Sequence, residues 1–332
     1  QPRTFAAGID FIRRNAAADR WFLQIETFDP HEPFFTQRKY KDLYAEHYDR
    51  YRGKHFDWPP YRPVRETPEE IEHLRHEYAA LMSMCDVYLG EVLDVFDELD
   101  LWKDTMLIVN TDHGFLLGEH ECWAKCWMPY YNEIAHIPLF IWDPRSGKRG
   151  ESRRALVQTI DLPATILDFF GVPLPPDMLG RPLARTIADD VPVRQAAIFG
   201  QHGGQVNVTD GRYVYMRAPV RPDGSPLYEY TLMPTHMQHS FSAEELRGRV
   251  ELAEPFSFTK GCRTMRIACS KPWVITNADV MKNWLFDLDS DPRQQRPLAD
   301  PAVESRMIDL LMGLMRDCDA PAEQYERLGL RA

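Results

Sequence analysis

The sequence TMLIVNTDHGFLLGEHECWAKCWMPYYNEIAHIPLFIW, residues 105–142, contains two short apolar runs separated by polar and aromatic residues. The first run, Met106 to Val109, and the second, Pro138 to Trp142, each have the length and composition of a strand buried in a parallel sheet. In open α/β sheets, ligands bind beyond the carboxyl ends of the strands. The residues that follow the first run are therefore the first candidates for a functional site.

Asp112, His113 and Gly114 lie where the first predicted strand ends. An aspartate beside a histidine can offer one carboxylate oxygen and one imidazole nitrogen to the same divalent cation, and the glycine lets the backbone turn away. The alternative is a turn with a solvated histidine. Lys125, which lies among tryptophans, is either a fixed cation for an anionic substrate or a surface side chain whose stem packs on the indoles.

Four motifs in this stretch closely resemble the C-terminal half of the sulfatase family, within the alkaline-phosphatase-like superfamily. The resemblance implies an α/β fold with a mostly parallel sheet flanked by helices. It also implies that Asp112 and His113 hold a divalent metal ion and that Lys125 is a catalytic and substrate-binding residue. In chain order, the motifs are Asp112-His113-Gly114, Leu117-Gly118-Glu119-His120, Trp123-Ala124-Lys125 and His136-Ile137-Pro138-Leu139.

A second loop extends the resemblance. Pro30 and Pro33 keep the backbone out of helix and strand around His31, just beyond a strand predicted at residues 21–25. On local residues alone His31 would be an exposed loop histidine. The Asp-Pro-His-x-Pro-Phe pattern, however, resembles the loop in which sulfatases hold a histidine against the sulfate group. The resemblance therefore implies that His31 is catalytic and binds the substrate.

Size and composition exclude several classes of protein. The chain of 332 residues, 44% hydrophobic and 27% charged, is long enough for a large core. Its net charge of -11 argues against nucleic-acid binding, and no apolar run is long enough to span a membrane. The start at Gln1 shows no signal-peptide pattern, and the six scattered cysteines do not form a disulfide framework. The sequence leaves the compartment open.

The clearest helical pattern precedes the predicted strand Met106 to Val109. Thr67 is a candidate N-cap, Pro68 fits the first helical position and Glu70 completes a capping box. Apolar residues then recur at steps of three or four to about residue 100, which predicts a core-facing stripe. His73 lies off this stripe and is expected to be solvated. Helix and strand together would form one unit of a βαβ fold.

We expect two domains. Residues 1–190 would be the C-terminal part of a sulfatase-like α/β catalytic domain, and residues 191–332 a smaller, largely antiparallel α+β subdomain. His202 of this subdomain is a candidate substrate contact, because the neighbouring glycines allow close backbone approach, although a plain turn explains them as easily. The subdomain is predicted from four strands and a closing helix, at Ala196–Phe199, Arg212–Met216, Trp273–Thr276, Trp284–Leu288 and Val303–Met315.

No residue of this chain matches the nucleophile of the sulfatase family. Sulfate-ester hydrolysis needs a nucleophile on sulfur, positive charge on the non-bridging oxygens and a proton for the leaving oxygen. In sulfatases the nucleophile is a formylglycine, made from a cysteine in a Cys-x-Pro-Ser-Arg motif. None of the six cysteines has proline two positions later, and Cys262 has Thr264 there. We therefore expect this chain to be the C-terminal portion of a longer sulfatase, with the formylglycine in an N-terminal part of the same protein.

One divalent metal ion is the expected cofactor. The Asp-His pair resembles that of iduronate-type sulfatases, which use calcium, and of phosphonate monoester hydrolases, which prefer softer transition metals. Calcium is the first expectation, and manganese is the alternative because imidazole is an uncommon calcium ligand.

Three functions fit these residues. The first is a sulfatase that cleaves a sulfate monoester of a sulfated sugar or an aryl sulfate. The second is a phosphonate monoester or phosphodiester hydrolase built on the same site. The third is a non-catalytic sulfatase-like binding domain, against which the retention of His31, Asp112, His113 and Lys125 counts. The expected partner is a small-molecule or carbohydrate sulfate ester, with no nucleic acid and no membrane.

Overall fold

A computed structural model describes residues 1–233, 235–236, 239–247, 250–269 and 281–331 of the chain. None of the helices in these ranges is both long and apolar enough to cross a membrane. The elements up to residue 142 are α1 (Pro2–Asn15), α2 (Arg38–Lys41), α3 (Ala45–Arg50), α4 (Pro68–Glu98), β1 (Leu107–Asn110), β2 (Leu116–Leu117), β3 (Trp123–Ala124), α5 (Asn132–Ala135) and β4 (Leu139–Trp142).

Beyond residue 142 the described elements are α6 (Asp161–Phe169), α7 (Ala184–Asp189), β5 (Ala197–Gly200), β6 (Val206–Thr209), β7 (Tyr213–Arg217), β8 (Tyr228–Thr231), α8 (Ala243–Leu246), β9 (Val250–Ala253), β10 (Thr264–Ala268), β11 (Trp284–Asp287), α9 (Pro301–Asp317) and α10 (Ala322–Arg327). The chain divides into two compact units. The first comprises Gln1–Lys125 and Pro138–Gly150, and the second Cys126–Ile137 and Glu151–Ala332. The domain boundary expected at residue 190 stays a prediction.

Helix α4 is the longest helix of the first unit and begins at the predicted residue. The Thr67 hydroxyl accepts a hydrogen bond from the Glu70 N–H, and the Glu70 carboxylate accepts one from the Thr67 N–H, which completes the capping box. The inner face of α4 packs in one cluster with residues of the 34–56 segment and with Trp123. This packing brings the loop that carries His31 and the hairpin that precedes Lys125 into one core.

A second cluster of the same unit joins α1 to the C-terminal half of α4 through Ile12, Val92 and Phe96. Trp21, Leu23 and Ile25 pack against it. The alternate residue Phe22 is 59% exposed. Residues 21–25 thus alternate sides as a strand does, but no strand is assigned to them in the structure.

Strand direction corrects one part of the fold prediction. The α/β class, with an antiparallel C-terminal part, is confirmed. However, β1 pairs antiparallel with β4, with Leu107 opposite Trp142, and every strand pair of the described residues is antiparallel. A parallel pair needs a long crossover connection, usually a helix. The segment between β1 and β4 holds only the β2–β3 hairpin, a 3-10 turn and the four-residue α5, so the chain returns antiparallel.

The second unit contains a four-stranded antiparallel sheet in the order β11-β7-β6-β5 and a three-stranded sheet in the order β8-β10-β9. Helix α9 and the C-terminal residues after it pack with the four-stranded sheet in one core, in which Met307, Leu311 and Leu328 are fully buried. Four of the predicted elements are confirmed to within two residues: those near 197–200, 213–217, 284–287 and 301–317. The predicted strand Trp273–Thr276 lies outside the described residues.

Candidate functional site

Lys125 directly follows the short strand β3, and the residues on either side of it have unusual backbone angles. Trp123 is fully buried, and its indole N–H donates a 2.7 Å hydrogen bond to the Glu66 carboxylate. On either side of Lys125, Ala124 and Cys126 have φ angles of 71° and 76°. Non-glycine residues rarely adopt such angles, and each such residue costs on the order of 1 kcal/mol or more. The surrounding structure therefore holds Ala124 and Cys126, and Lys125 between them, in a conformation that the backbone alone would disfavour.

The lysine side chain is directed to a buried carboxylate. Lys125 is only 6% exposed, and its Nζ lies 3.5 Å from Glu32 Oε2. The ring of Phe115 lies 5.8 Å from the same Nζ. His31 Nδ1 is 3.4 Å from the same Glu32 oxygen. The structure thus brings together His31 and Lys125, two residues predicted from separate motifs, around one acidic side chain.

His31 presents one of its two ring nitrogens. Its Nδ1 is 2.7 Å from the Glu32 backbone oxygen, and the ring lies against Phe28 with centroids 4.5 Å apart. A carbonyl oxygen only accepts hydrogen bonds, so Nδ1 carries a proton in this contact. The His31 side chain is 38% exposed. Its Nε2 is therefore the atom left to bind a substrate oxygen or to exchange a proton with it.

The sequence interpretation missed two residues of this cluster. Glu32 occupies the variable position of the Asp-Pro-His-x-Pro-Phe pattern, and Tyr61 lies in an aromatic stretch between α3 and α4. The Tyr61 hydroxyl donates a short hydrogen bond to Glu32 Oε1. Neither residue forms part of a motif. The one available signal was an acidic residue next to a candidate catalytic histidine.

Asp112 and His113 lie beyond the end of β1, as predicted. His113 Nδ1 is 2.9 Å from the Gly114 carbonyl oxygen, so Nδ1 donates and Nε2 keeps its lone pair. That Nε2 lies 3.5 Å from Asp112 Oδ2. The backbone N–H of His113 donates to Asp112 Oδ1 at 2.9 Å, which fixes the carboxylate.

This geometry fits two ligands of one metal ion. A metal-binding histidine typically donates its second ring N–H to a carbonyl or carboxylate, as His113 does here, and the adjacent carboxylate supplies an oxygen. Both side chains are open to the surface, with Asp112 83% exposed. Among the described residues, no group of three or more His, Cys, Asp or Glu side chains could hold a metal ion. Asp112 and His113 could therefore supply only part of the ligand set of such an ion.

Phe115 connects the two pairs of predicted site residues. It lies two residues after His113, its ring is near Lys125 Nζ, and it packs edge-on against Phe34 at 5.4 Å. His202, the remaining candidate, belongs to the second unit. It is exposed, and its Nε2 lies 3.0 Å from the Tyr228 carbonyl oxygen. Its role as a substrate contact stays a prediction.

The cysteines form no disulfide among the described residues, and they differ in environment. Cys122 is buried, and this burial raises the pKa of its thiol to about 11. Such a thiol stays protonated at neutral pH and is a poor nucleophile and a poor metal ligand. Cys262 is exposed. The burial of Cys122 thus gives it no character of an activated nucleophile.

A family model described as Sulfatase matches residues 3–172. Arylsulfatase K of Homo sapiens is 36% identical over 116 residues, which cover 35% of this chain and 21% of that protein. Choline-sulfatase of Rhizobium meliloti is 25% identical over 269 residues, 75% of this chain and 50% of that protein. The chain therefore spans half or less of the length of these two relatives.

Solved structures share the fold at lower identity. A Bacteroides thetaiotaomicron structure from work on glycosaminoglycan metabolism has a TM-score of 0.62 at 16% identity, covering 98% of this chain and 60% of that chain. A structure bound to its substrate D-glucosamine-2-N,6-O-disulfate has a TM-score of 0.53 at 17% identity, covering 76% and 42%. A phosphonate monoester hydrolase from Silicibacter pomeroyi has a TM-score of 0.56 at 20% identity, covering 94% and 59%.

Proposed function

Because this chain belongs to the sulfatase family, we propose that it forms part of a site that hydrolyses a sulfate monoester. The observation that carries the proposal is the convergence of Lys125 and His31 on one buried carboxylate, at 3.5 and 3.4 Å. An ammonium group held at a fixed place in a largely buried site stabilises charge that develops on a transferring group far better than a solvated one does.

Each residue has a distinct proposed role. Lys125 binds the non-bridging oxygens of the ester through its Nζ and stabilises their charge in the transition state. In its protonated form, His31 donates its Nε2–H to the same group and can pass that proton to the leaving oxygen, while its Nδ1 is held by a backbone carbonyl. The β2–β3 hairpin and the 28–34 loop hold these two side chains, and both pack on α4.

A divalent metal ion fits the Asp112–His113 pair as part of its ligand set. Asp112 would supply a carboxylate oxygen and His113 its Nε2, and such an ion, when bound, withdraws charge from the oxygens attached to sulfur. Calcium is the proposed ion and manganese the alternative, since one of the two ligands is a nitrogen. The His113 Nδ1 hydrogen bond to Gly114 would keep the imidazole in the ligating tautomer.

The nucleophile is proposed to be a formylglycine in an N-terminal part of the same protein. The substrate is proposed to be a small-molecule or carbohydrate sulfate ester. Two relatives bear the names arylsulfatase and choline-sulfatase, and one structural neighbour was solved with a sulfated glucosamine, which supports this class. His202 is a further proposed substrate contact.

The test is the hydrolysis of an aryl sulfate by the full-length protein and by two of its variants. We expect Lys125→Ala to lower kcat/KM by about 100-fold or more, since it removes a fixed charge from the transition state. We expect Asp112→Ala to lose both activity and bound divalent metal, measured by elemental analysis. Lys103→Ala and Asp104→Ala are the matched controls, because both residues lie on the exposed turn before β1 and neither is proposed to act.

The remaining functions are outcomes of the same test. If an aryl phosphonate is hydrolysed faster than the aryl sulfate, the site is that of a phosphonate monoester hydrolase. If the wild-type protein with its metal hydrolyses neither ester, the non-catalytic reading replaces the proposal.

A further inference from the structure

We propose that Glu32 is a positioning residue that makes the site favour singly charged oxyanions over doubly charged ones. This inference rests on the proposed function, because it assumes that Lys125 and His31 face the anionic group of the substrate. It assigns a role to a residue that belongs to neither the metal pair nor the groups proposed to contact the substrate.

The first argument is the way in which Glu32 is held. The residue is 3% exposed, and its Oε1 accepts the hydrogen bond from Tyr61. Its Oε2 is buried and has no hydrogen-bond partner among the described residues. Buried carboxylate oxygens are normally satisfied, so an oxygen left without a hydrogen bond between two basic side chains needs an explanation.

The second argument is a comparison with another ion pair of the same unit, between the partly buried Lys41 and the buried Glu77. Lys41 Nζ contacts both oxygens of Glu77, at 2.8 and 2.6 Å, and the two charges satisfy each other. Lys125 Nζ stands 3.5 Å from a single oxygen of Glu32 and forms no hydrogen bond to it. A lysine and a glutamate that served only to stabilise the fold would be expected to form direct hydrogen bonds, as Lys41 and Glu77 do. Lys125 therefore keeps its N–H donors for a ligand while Glu32 offsets part of its charge.

The consequence concerns the charge of the ligand. A sulfate monoester carries one negative charge, whereas the inorganic sulfate released from it carries two. The fixed negative charge of Glu32 repels inorganic sulfate about twice as strongly as it repels the monoester, because Coulomb energy is proportional to charge. Glu32 thereby holds the two basic side chains in place, disfavours dianionic phosphate monoesters and eases release of the dianionic product.

The experiment compares the binding of two tetrahedral probes that differ by one charge. Dissociation constants for methanesulfonate and for inorganic sulfate are measured at pH 8 by calorimetry, with the full-length protein and its Glu32→Gln variant. We expect the variant to improve sulfate binding by about tenfold relative to methanesulfonate, as removal of one nearby charge in a partly buried site predicts. Glu98→Gln is the control, because Glu98 forms an exposed ion pair with Arg13 in the same unit.

A second variant covers the case in which Glu32→Gln does not fold. Tyr61→Phe removes only the hydroxyl that stabilises the charge on Oε1, at a residue that is 42% exposed. We expect it to shift the ratio in the opposite direction, by about two- to fivefold, because the Tyr61 hydroxyl dipole no longer offsets part of the negative charge on Glu32.

The outcomes separate this inference from the function on which it rests. An unchanged ratio of the two dissociation constants in both variants overturns the inference if Lys125→Ala still weakens both anions. If neither anion binds the wild-type protein, or if Lys125→Ala changes nothing, the proposed function itself fails and the inference fails with it.

Discussion

The His73 imidazole is held in its neutral form by its surroundings. It is 5% exposed, its Nδ1 lies 3.0 Å from His47 Nε2, and its ring stacks on Tyr51 with centroids 3.7 Å apart. Burial, together with the positive charges that His47 and Lys41 carry when protonated, lowers the pKa of His73 to about 4. An ionised His73 would also face His76 and His55. Glu77, 3.6 Å from Nε2, would favour the charged ring.

This arrangement predicts acid sensitivity. Between the ordinary pKa of 6.5 and the folded value of about 4, the unfolded chain binds a proton that the folded chain does not. Stability is therefore full above about pH 6.5 and falls as the pH is lowered to 4, by up to about 3 kcal/mol. We expect His73→Gln to flatten this part of the profile, measured by urea unfolding at pH 7.5 and 4.5.

The control for that experiment is His136→Gln, at an exposed residue that is not among the groups acting on His73, and it should leave the slope unchanged. Equal slopes for wild type and His73→Gln would show that another group titrates. Glu66 does not interfere within this window. Burial of its carboxylate opposes ionisation, but hydrogen bonds from Arg62, Trp123 and the Arg65 N–H outweigh that effect and lower its pKa to about 2. Its contribution is lost only as the pH falls from about 4.5 towards 2.

At the scale of elements, the capping box of α4 anchors the longest helix of the first unit. Replacement of Thr67 by alanine removes the acceptor for the Glu70 N–H and leaves that donor to water. We expect Thr67→Ala to cost about 1 kcal/mol of unfolding free energy. The measurement is thermal unfolding, compared with Thr105→Ala, whose hydroxyl bonds only to the adjacent Asp104. Equal midpoints for the two variants would contradict the prediction.

Elements with a local cause were predictable from the sequence. The start of α4 follows from Thr67, Pro68 and Glu70, and the structure has it at the predicted residue. The direction of β1 was not predictable in the same way, because it depends on the connection to β4 rather than on the strand's own residues. The prediction that His73 is solvated was wrong for a related reason. His47 of α3 covers His73, on a side of α4 that lies outside the apolar stripe.

At the scale of the whole molecule, Arg327 ties the C-terminal helix to the rest of the second unit. It is 1% exposed, and one of its terminal nitrogens donates to the carbonyl oxygens of Gly203 and Gly204, at 3.3 and 2.9 Å. Burial lowers the pKa of its guanidinium to about 10, which leaves it charged at neutral pH. The glycines that it holds follow His202.

We expect Arg327→Met to lower the unfolding free energy of this unit by about 3 kcal/mol, because two buried carbonyls lose a charged donor. Differential scanning calorimetry measures the effect. Arg331→Met, at an exposed residue, is the control. If Arg327→Met unfolds at the wild-type temperature, methionine packing replaces the lost bonds, as happens at some buried charged sites.

Long-range contacts explain what the sequence could and could not predict of the site. The resemblance to sulfatase motifs predicted His31, Asp112, His113 and Lys125 one at a time. Their grouping required the tertiary fold, because Glu32 and Lys125 are far apart in the chain and meet only through packing on α4. Tyr61 could not be predicted, since nothing in its local sequence distinguishes it from the other aromatic residues of its stretch.

The left-handed residues on either side of Lys125 have a consequence for protein engineering. Ala124 and Cys126 both adopt a conformation that their side chains disfavour, at the position where the proposed cationic group is held. Selection for heat resistance alone would favour substitutions that relax this segment, while selection for turnover would favour those that keep it tight. Thermostability and catalytic rate should therefore trade against each other at these two positions more than at positions without such backbone strain.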